Sequence, residues 1–353
     1  HGPGEVHIVL LDSGRSAARE DPELREALYC NRGAACQTLC PVFQFLGGHT
    51  FGHIYVGGIG TILTALYHGV EEAGQLAELC LQCGACTEAC PAQIDIPRMM
   101  LVLRERVAKD KKLPWLEGLV FKHLLPHPGR FQKAASLVSH LPGVVRDNPA
   151  ALGLAGLGGQ KGLPPLAAKP LRERLKPNPT AKVALYAGCV IDYIYPEIGE
   201  DVARLLKAQG LDINYPKGQG CCGIPALAAG QMDVARELAR MNIAALEEGN
   251  PETVITACPT CALTLIKEFP RLLQDDEAWK QRALSLAGKV KDLCQVLEES
   301  GVELAPVQGD AQSITYHDPC HLNRGQGVKE SPRSLLRQAG YEIKEMANSD
   351  ACC

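Results

Sequence analysis

Cysteine thiolates are the side chains of this sequence whose type and spacing can do chemistry. One string reads Cys80-x2-Cys83-x2-Cys86-x3-Cys90-Pro91, and fifty residues earlier stands Cys30-x5-Cys36-x3-Cys40-Pro41. Two-residue spacings let three thiolates wrap one face of a [4Fe-4S] cubane, while the Cys-Pro turn sends the fourth sulfur to a neighbouring cluster. A zinc ribbon would instead want two pairs parted by a longer loop. By that exchange Cys40 completes the cluster of Cys80, Cys83 and Cys86, and Cys90 joins Cys30 and Cys36. Gly33 stands where the first string should carry its second cysteine, so that site has three thiolates. A protein with one full site and one site short of a ligand is built to move electrons.

A third constellation is Cys189-x31-Cys221-Cys222-Gly223-x34-Cys258-Pro259-Thr260-Cys261. Five thiolates are one more than a cubane needs; a zinc site using four of them is the alternative, since zinc accepts all-thiolate tetrahedra. Cys320-x31-Cys352-Cys353 repeats the opening of that string at equal spacing, and Leu205-Leu206-Lys207-Ala208-Gln209-Gly210 echoes Leu335-Leu336-Arg337-Gln338-Ala339-Gly340. A duplicated α/β unit is expected, with the second copy cut short at its vicinal pair. His317 and His321 flank Cys320 and could ligate or relay protons, but hydrogen-bonded loop roles are commoner, as for His49 and His53. Cys294 is expected as a buried small hydrophobe on an amphipathic helix with Val290, Leu293 and Leu297.

The elements that must position these thiolates fall into regions. Residues 1–29 hold a strand-like run, Val6 to Leu11, and a charged helical stretch, and read as the tail of an upstream α/β domain. Residues 30–141 form a mostly helical two-cluster domain, with a helix from Ile59 to Leu81 and another opened by Pro97. Residues 142–180, rich in Gly, Pro, Ala and Lys, read as a linker. Residues 181–353 alternate strand and helix: strands at Lys182–Ala187, Leu211–Tyr215 and Thr253–Thr256, helices at Ile198–Gln209 and from about Ala226 to Glu248. That alternation implies a largely parallel sheet with crossover helices, whose chemistry sits at the carboxyl ends of the strands. The fold class is therefore α+β multidomain.

Composition narrows the function. The net charge of −4 gives no electrostatic reason to expect nucleic acid or anionic membrane. The most apolar stretch, Phe51 to Val70, holds two histidines and five glycines, so no integral membrane span is expected. Sixteen cysteines, many in tight pairs, suit metal-bound thiolates in a reducing cytoplasm better than a disulfide scaffold; any membrane contact would be at the periphery of the inner face. The chain opens on His1, so the true start is expected to lie upstream. Gly156-Leu157-Gly158-Gly159 lacks a βαβ context, no P-loop occurs, and no flavin or nicotinamide site is recognisable. No side chain is assigned a catalytic role.

Three resemblances rest on these motifs. The string through Cys30, Cys36 and Cys40-Pro41 is similar to the one holding the [3Fe-4S] centre of succinate dehydrogenase iron–sulfur subunits, which implies a three-iron cluster at the first site. The five-cysteine set looks like the cysteine-rich CCG domain of heterodisulfide reductases and glycolate-oxidase iron–sulfur subunits, which implies a further [4Fe-4S] cluster, non-cubane in the reductase family. Almost the whole chain resembles the bacterial lactate-utilisation iron–sulfur proteins. Gly2-Pro3-Gly4-Glu5-Val6-His7, Leu28-Tyr29-Cys30, Gly47-Gly48-His49 and Pro164-Pro165-Leu166-Ala167 match its ferredoxin-bearing component. Asp192-x2-Tyr195-Pro196-Glu197 and Tyr316-His317-Asp318 match its CCG component, here fused in one chain.

The resemblance implies an electron-transfer subunit of a lactate (2-hydroxyacid) dehydrogenase system. Its partners would be other subunits, including a flavoprotein, and an acceptor such as a quinone or another redox protein. A heterodisulfide-reductase-like unit, reducing a disulfide at the CCG cluster, is the alternative, and a zinc-stabilised interaction scaffold a third. Two departures stand out: Gly33 replaces a family cysteine, and Cys258-Pro259-Thr260-Cys261 is closer to the glycolate-oxidase and heterodisulfide-reductase version. Fifteen cysteines are candidate ligands: Cys30, Cys36, Cys40, Cys80, Cys83, Cys86, Cys90, Cys189, Cys221, Cys222, Cys258, Cys261, Cys320, Cys352 and Cys353.

Overall fold

The computed structural model describes all residues except 1, 3, 53, 112, 140–164 and 308–312. His53, the Gly156–Gly159 run and most of the expected linker lie outside the described residues. The chain divides into two compact units, His1–Asp110 and Lys111–Cys353. That division falls earlier than the expected boundary at 141, because residues 125–139 pack with the second unit. Phe131 meets Tyr193 edge-on at 4.9 Å, and Gln132 donates to Glu173 at 2.7 Å. Leu171 and Arg172, expected in a linker, are buried on the helix Leu171–Arg174 of the same unit.

The first unit is helical. Its core is built by the helices Gly57–His68, Val70–Glu78 and Ile96–Asp110, through Ile62, Leu63, Ala73, Ala77, Ile96, Met99 and Leu103, with Ile94 just before the third helix. The helix expected over Ile59–Leu81 is broken at Gly69, whose φ of 105° lies outside helical space. Val6–Leu11 is not a strand. It carries no ladder, and Val6, Ile8, Val9, Leu10 and Leu11 are exposed; their branched side chains gave the strand signal, but strands need a partner.

The second unit holds a four-stranded sheet: β1 (Val183–Leu185), β2 (Ile213–Asn214), β3 (Thr253–Thr256) and β4 (Val290–Asp292). Its order is β2-β1-β3-β4. Every pair is parallel, with Val183 opposite both Ile213 and Thr253, and Val254 opposite Val290. Parallel neighbours require crossovers, supplied by the helices Pro196–Ala208, Met232–Leu246 and Glu277–Ala287. A separate parallel pair joins β5 (Ser313–Ile314) to β6 (Glu342–Ile343), with the helices Cys320–Gln326 and Glu330–Gln338 between them. Val290 belongs to β4, not to the helix of Cys294, which runs Leu293–Glu299 behind an Asp292 capping box.

Candidate iron–sulfur centres

The two cysteine strings of the first unit fold alike. Cys30 and Cys80 each follow a helical turn, closed by hydrogen bonds from Cys30 N to Ala27 O and from Cys80 N to Ala77 O. Each string then takes two left-handed residues, Arg32 (φ 64°) and Ala34 (φ 59°) in one, Gln82 (φ 59°) and Gly84 (φ 76°) in the other. Each ends in one helical turn, Ala35–Thr38 or Ala85–Glu88, running into the Cys-Pro corner. These turns aim backbone and sulfur inward around common points.

One cavity is lined by Cys36, Cys40, Cys80, Cys83 and Cys86; a second is lined by Cys30, Cys36 and Cys90 together with Asn31, Arg32, Gly33 and Tyr55. Burial, aided by the Cys80 and Cys83 thiolates, pushes Cys86 up to about 12, and burial also raises Cys80 and Cys36. Clustered buried thiols resist ionisation unless a cation takes up their charge, which iron does. Beneath Cys80 lies Arg104, 7% exposed. Its Nε donates to Ala77 O at 2.9 Å, and its Nη2 donates to Glu78 O at 3.1 Å and Cys80 O at 2.6 Å.

In the second unit the five thiols stand past the carboxyl ends of β1, β2 and β3, where an open parallel sheet places its ligands. Neighbouring thiols act on one another's ionisation, Cys189 with Cys221, Cys221 with Cys222, Cys222 with Cys261 and Cys261 with Cys258. The hydrogen bond from Cys261 draws Cys258 down to about 7. No group of three or more His, Cys, Asp or Glu side chains among the described residues is placed to hold a single metal ion. Gly188 has φ +64°, and a Cβ there would stand 2.8 Å from the Cys261 sulfur, so the close approach of the Cys189 turn to Cys261 requires glycine.

The Cys221-Cys222 segment has no regular secondary structure, and its backbone is fixed by side chains from elsewhere. Gln219 accepts from Ala187 N at 2.8 Å and donates to Leu185 O at 2.9 Å. Asn242 accepts from Gly220 N and donates to Cys221 O, both at 2.8 Å. Tyr186, fully buried, donates to Gly220 O at 2.8 Å. Behind these, Arg172 (5% exposed) pairs with Asp192 (1% exposed) at 2.6 Å, and Asp192 also accepts from Tyr215 at 2.9 Å. Buried polar groups so fully matched rigidify a site. Sequence reasoning passed over Arg104, Gln219 and Asn242 because their partners lie 22 to 34 residues away and nothing local marks them.

Cys320 opens the helix Cys320–Gln326. That helix lies beside the Cys258–Cys261 turn, with His321 Nδ1 and Thr260 Oγ1 2.8 Å apart and Gln326 donating to Pro259 O at 3.0 Å. Asp318 N donates to Ser349 O, and Arg324 pairs with Asp350 at 2.8 Å, which brings the segment before Cys352 and Cys353 to the Cys320 turn. All sixteen cysteines are free thiols.

A two-cluster helical unit joined to a cysteine-rich α/β unit defines the class as an iron–sulfur redox protein. The 4Fe-4S dicluster domain model matches residues 26–94, and the cysteine-rich CCG domain model matches residues 183–266 and 314–353. The chain is 30% identical to the probable glycolate oxidase iron-sulfur subunit of Bacillus subtilis over 355 residues, 93% of this chain and 78% of that one. It is 37% identical to lactate utilization protein A of Geobacillus sp. over 179 residues, 49% of this chain and 71% of that one. A subunit of the CoM/CoB fumarate reductase of Methanothermobacter marburgensis is 30% identical to it, covering 81% of this chain, which spans about half (48%) of that protein. No solved structure matches the chain at a significant level. The chain belongs to the family of iron–sulfur oxidoreductase subunits that pair a 4Fe-4S dicluster domain with a CCG domain. No helix among the described residues is long and apolar enough to cross a membrane.

Proposed function

We propose that this chain is the electron-transfer subunit of a lactate (2-hydroxyacid) oxidation system, relaying electrons from a substrate-oxidising flavoprotein to an acceptor such as a quinone or another redox protein. The observation that carries it is the grouping of the thiols: two neighbouring cavities lined by cysteines in the first unit and a five-thiol series in the second. Cys40, Cys80, Cys83 and Cys86 hold a [4Fe-4S] cubane; Cys30, Cys36 and Cys90 hold a [3Fe-4S] cluster. Cys189, Cys221, Cys222, Cys258 and Cys261 hold a further [4Fe-4S] cluster of the non-cubane kind. Bound there, the clusters supply one-electron carriers; the chain orients the thiolates, buries them and sets their charge environment.

Cys320, Cys352 and Cys353 belong to a second CCG unit. Supporting this are the paired domain matches and the shared order of parallel strand, Cys-bearing turn, amphipathic helix, parallel strand and vicinal cysteines. The names of the relatives, glycolate oxidase and lactate utilization, support a 2-hydroxyacid as the substrate oxidised upstream. The test is anaerobic mixing of the cluster-loaded chain with a flavin-bearing 2-hydroxyacid dehydrogenase. Reduction of the clusters on adding lactate or glycolate is expected; turnover of a disulfide by the isolated chain, with no reduction through the flavoprotein, sinks the proposal.

A further inference from the structure

The site short of a ligand keeps the backbone of a four-ligand site. Gln37 N and Thr38 N both bond to Ala34 O, Leu39 N to Ala35 O and Cys40 N to Gln37 O. In the complete string Thr87 N and Glu88 N bond to Gly84 O, Ala89 N to Ala85 O and Cys90 N to Thr87 O. The match extends to the strained positions. Gly84 takes the left-handed conformation freely, but Ala34 takes it with a side chain, which that conformation disfavours. A loop released from holding a cubane corner would have relaxed from that conformation or closed over the space. Gly33 instead faces the cavity of Cys30, Cys36 and Cys90. Apart from the chain neighbours Arg32 and Ala34, the one atom within 4 Å of a Cβ built at position 33 among the described residues is Asn31 Oδ1, at 3.1 Å, and that oxygen also accepts from Gly33 N at 3.1 Å. The corner therefore has room beside a hard oxygen donor, Asn31 Oδ1.

We infer that the first site binds a fourth, exchangeable ferrous ion at the corner beside Gly33, with the Asn31 carboxamide oxygen as its protein ligand. The step balances. The three-iron cluster, once it has accepted one electron from the relay, is [3Fe-4S]0; it takes up Fe2+ to give [4Fe-4S]2+, forming three iron–sulfide bonds at the open corner and consuming no further electron. Asn31 gives up its bond to Gly33 N to meet the metal. Oxygen ligation suits a ferrous ion that must leave again, where a thiolate would hold it. The inference rests on the reading that Cys30, Cys36 and Cys90 carry a three-iron cluster.

The test uses the full chain, purified anaerobically, with 57Fe2+ as the probe. The oxidised protein is expected to show a three-iron EPR signal. After reduction and exposure to 57Fe2+, reoxidation under mild conditions is expected to return less of that signal, one label per chain should appear by Mössbauer spectroscopy, and a chelator should reverse both. Asn31→Ala should raise the ferrous ion needed for half conversion roughly tenfold, and Gly33→Cys should make the uptake resistant to chelator. A three-iron signal undiminished at excess 57Fe2+ with no bound label overturns the inference alone. Iron and sulfide counts showing no cluster at this site overturn it together with the reading beneath it.

Discussion

Removing the charge of Arg104 tests whether the full cubane's potential is set by the protein around it. The guanidinium bonds the carbonyl of Cys80, the residue whose sulfur is a cluster ligand in our reading, at 2.6 Å. With a cluster bound through that sulfur, the guanidinium would stand on the order of 8 Å from it, one residue's reach beyond the carbonyl. Burial lowers its pKa while the charge of Glu78 acts the other way, and a guanidinium stays charged in a protein. One unit charge at that distance and an effective dielectric constant of about 20 is worth ~2 kcal/mol. For a one-electron couple that is ~90 mV, since tenfold in the equilibrium constant is 59 mV. A cation favours the reduced, more negative cluster, so Arg104→Gln should lower the midpoint potential of this cluster by tens of millivolts while the first site shifts less. The assay is an EPR-monitored redox titration. Glu78→Gln, at an exposed position whose charge acts on Arg104, should move the same potential upward. A loaded, folded Arg104→Gln protein with an unmoved potential would refute the reasoning and leave Arg104 as a helix cap.

Other outcomes follow from the same geometry. Cys222→Ser, at the centre of the five-thiol series, should remove the iron of the second unit and leave the first unit's EPR signals intact. Arg172→Met leaves Asp192 buried without its cation, which should cost ~3–5 kcal/mol, read as a fall in the urea midpoint of the cluster-free chain. Asp21 faces burial, which raises its pKa, but its hydrogen bonds and charge pairing with Arg106 outweigh that and hold it below the usual range. Its folded pKa is depressed, so its stabilisation is present above about pH 4 and lost as pH falls through the folded value. The melting-temperature gap between the native chain and Asp21→Asn should therefore be constant near neutrality and shrink in acid.

Much of this fold was legible where a short-range pattern and its structural cause coincide. Thr253–Thr256 is a strand at the expected residues because a run bounded by Pro251 and Cys258 can be little else. The helices were legible as periodic faces, but two long ones were joined in anticipation: a glycine at φ 105° splits one, and Ala229-Gly230 separates Ile224–Ala228 from Met232–Leu246. The cysteine groups were legible because cluster ligation fixes spacing. The supports of those groups were not. Gln219, Asn242 and Arg104 act across the fold, and nothing in their own neighbourhood distinguishes them from surface polar residues. Ala34 was equally silent, since its left-handed backbone shows only when the two strings are compared in three dimensions.

Iron and acid-labile sulfide analysis of the anaerobically purified full chain, combined with an EPR redox titration, tests the central claim most directly. The account predicts iron and sulfide in amounts for three clusters, a visible iron–sulfur absorption, and at least two reversible one-electron reductions, one of them abolished by Cys83→Ser. Zinc in place of iron, no sulfide and no reducible signal would contradict it.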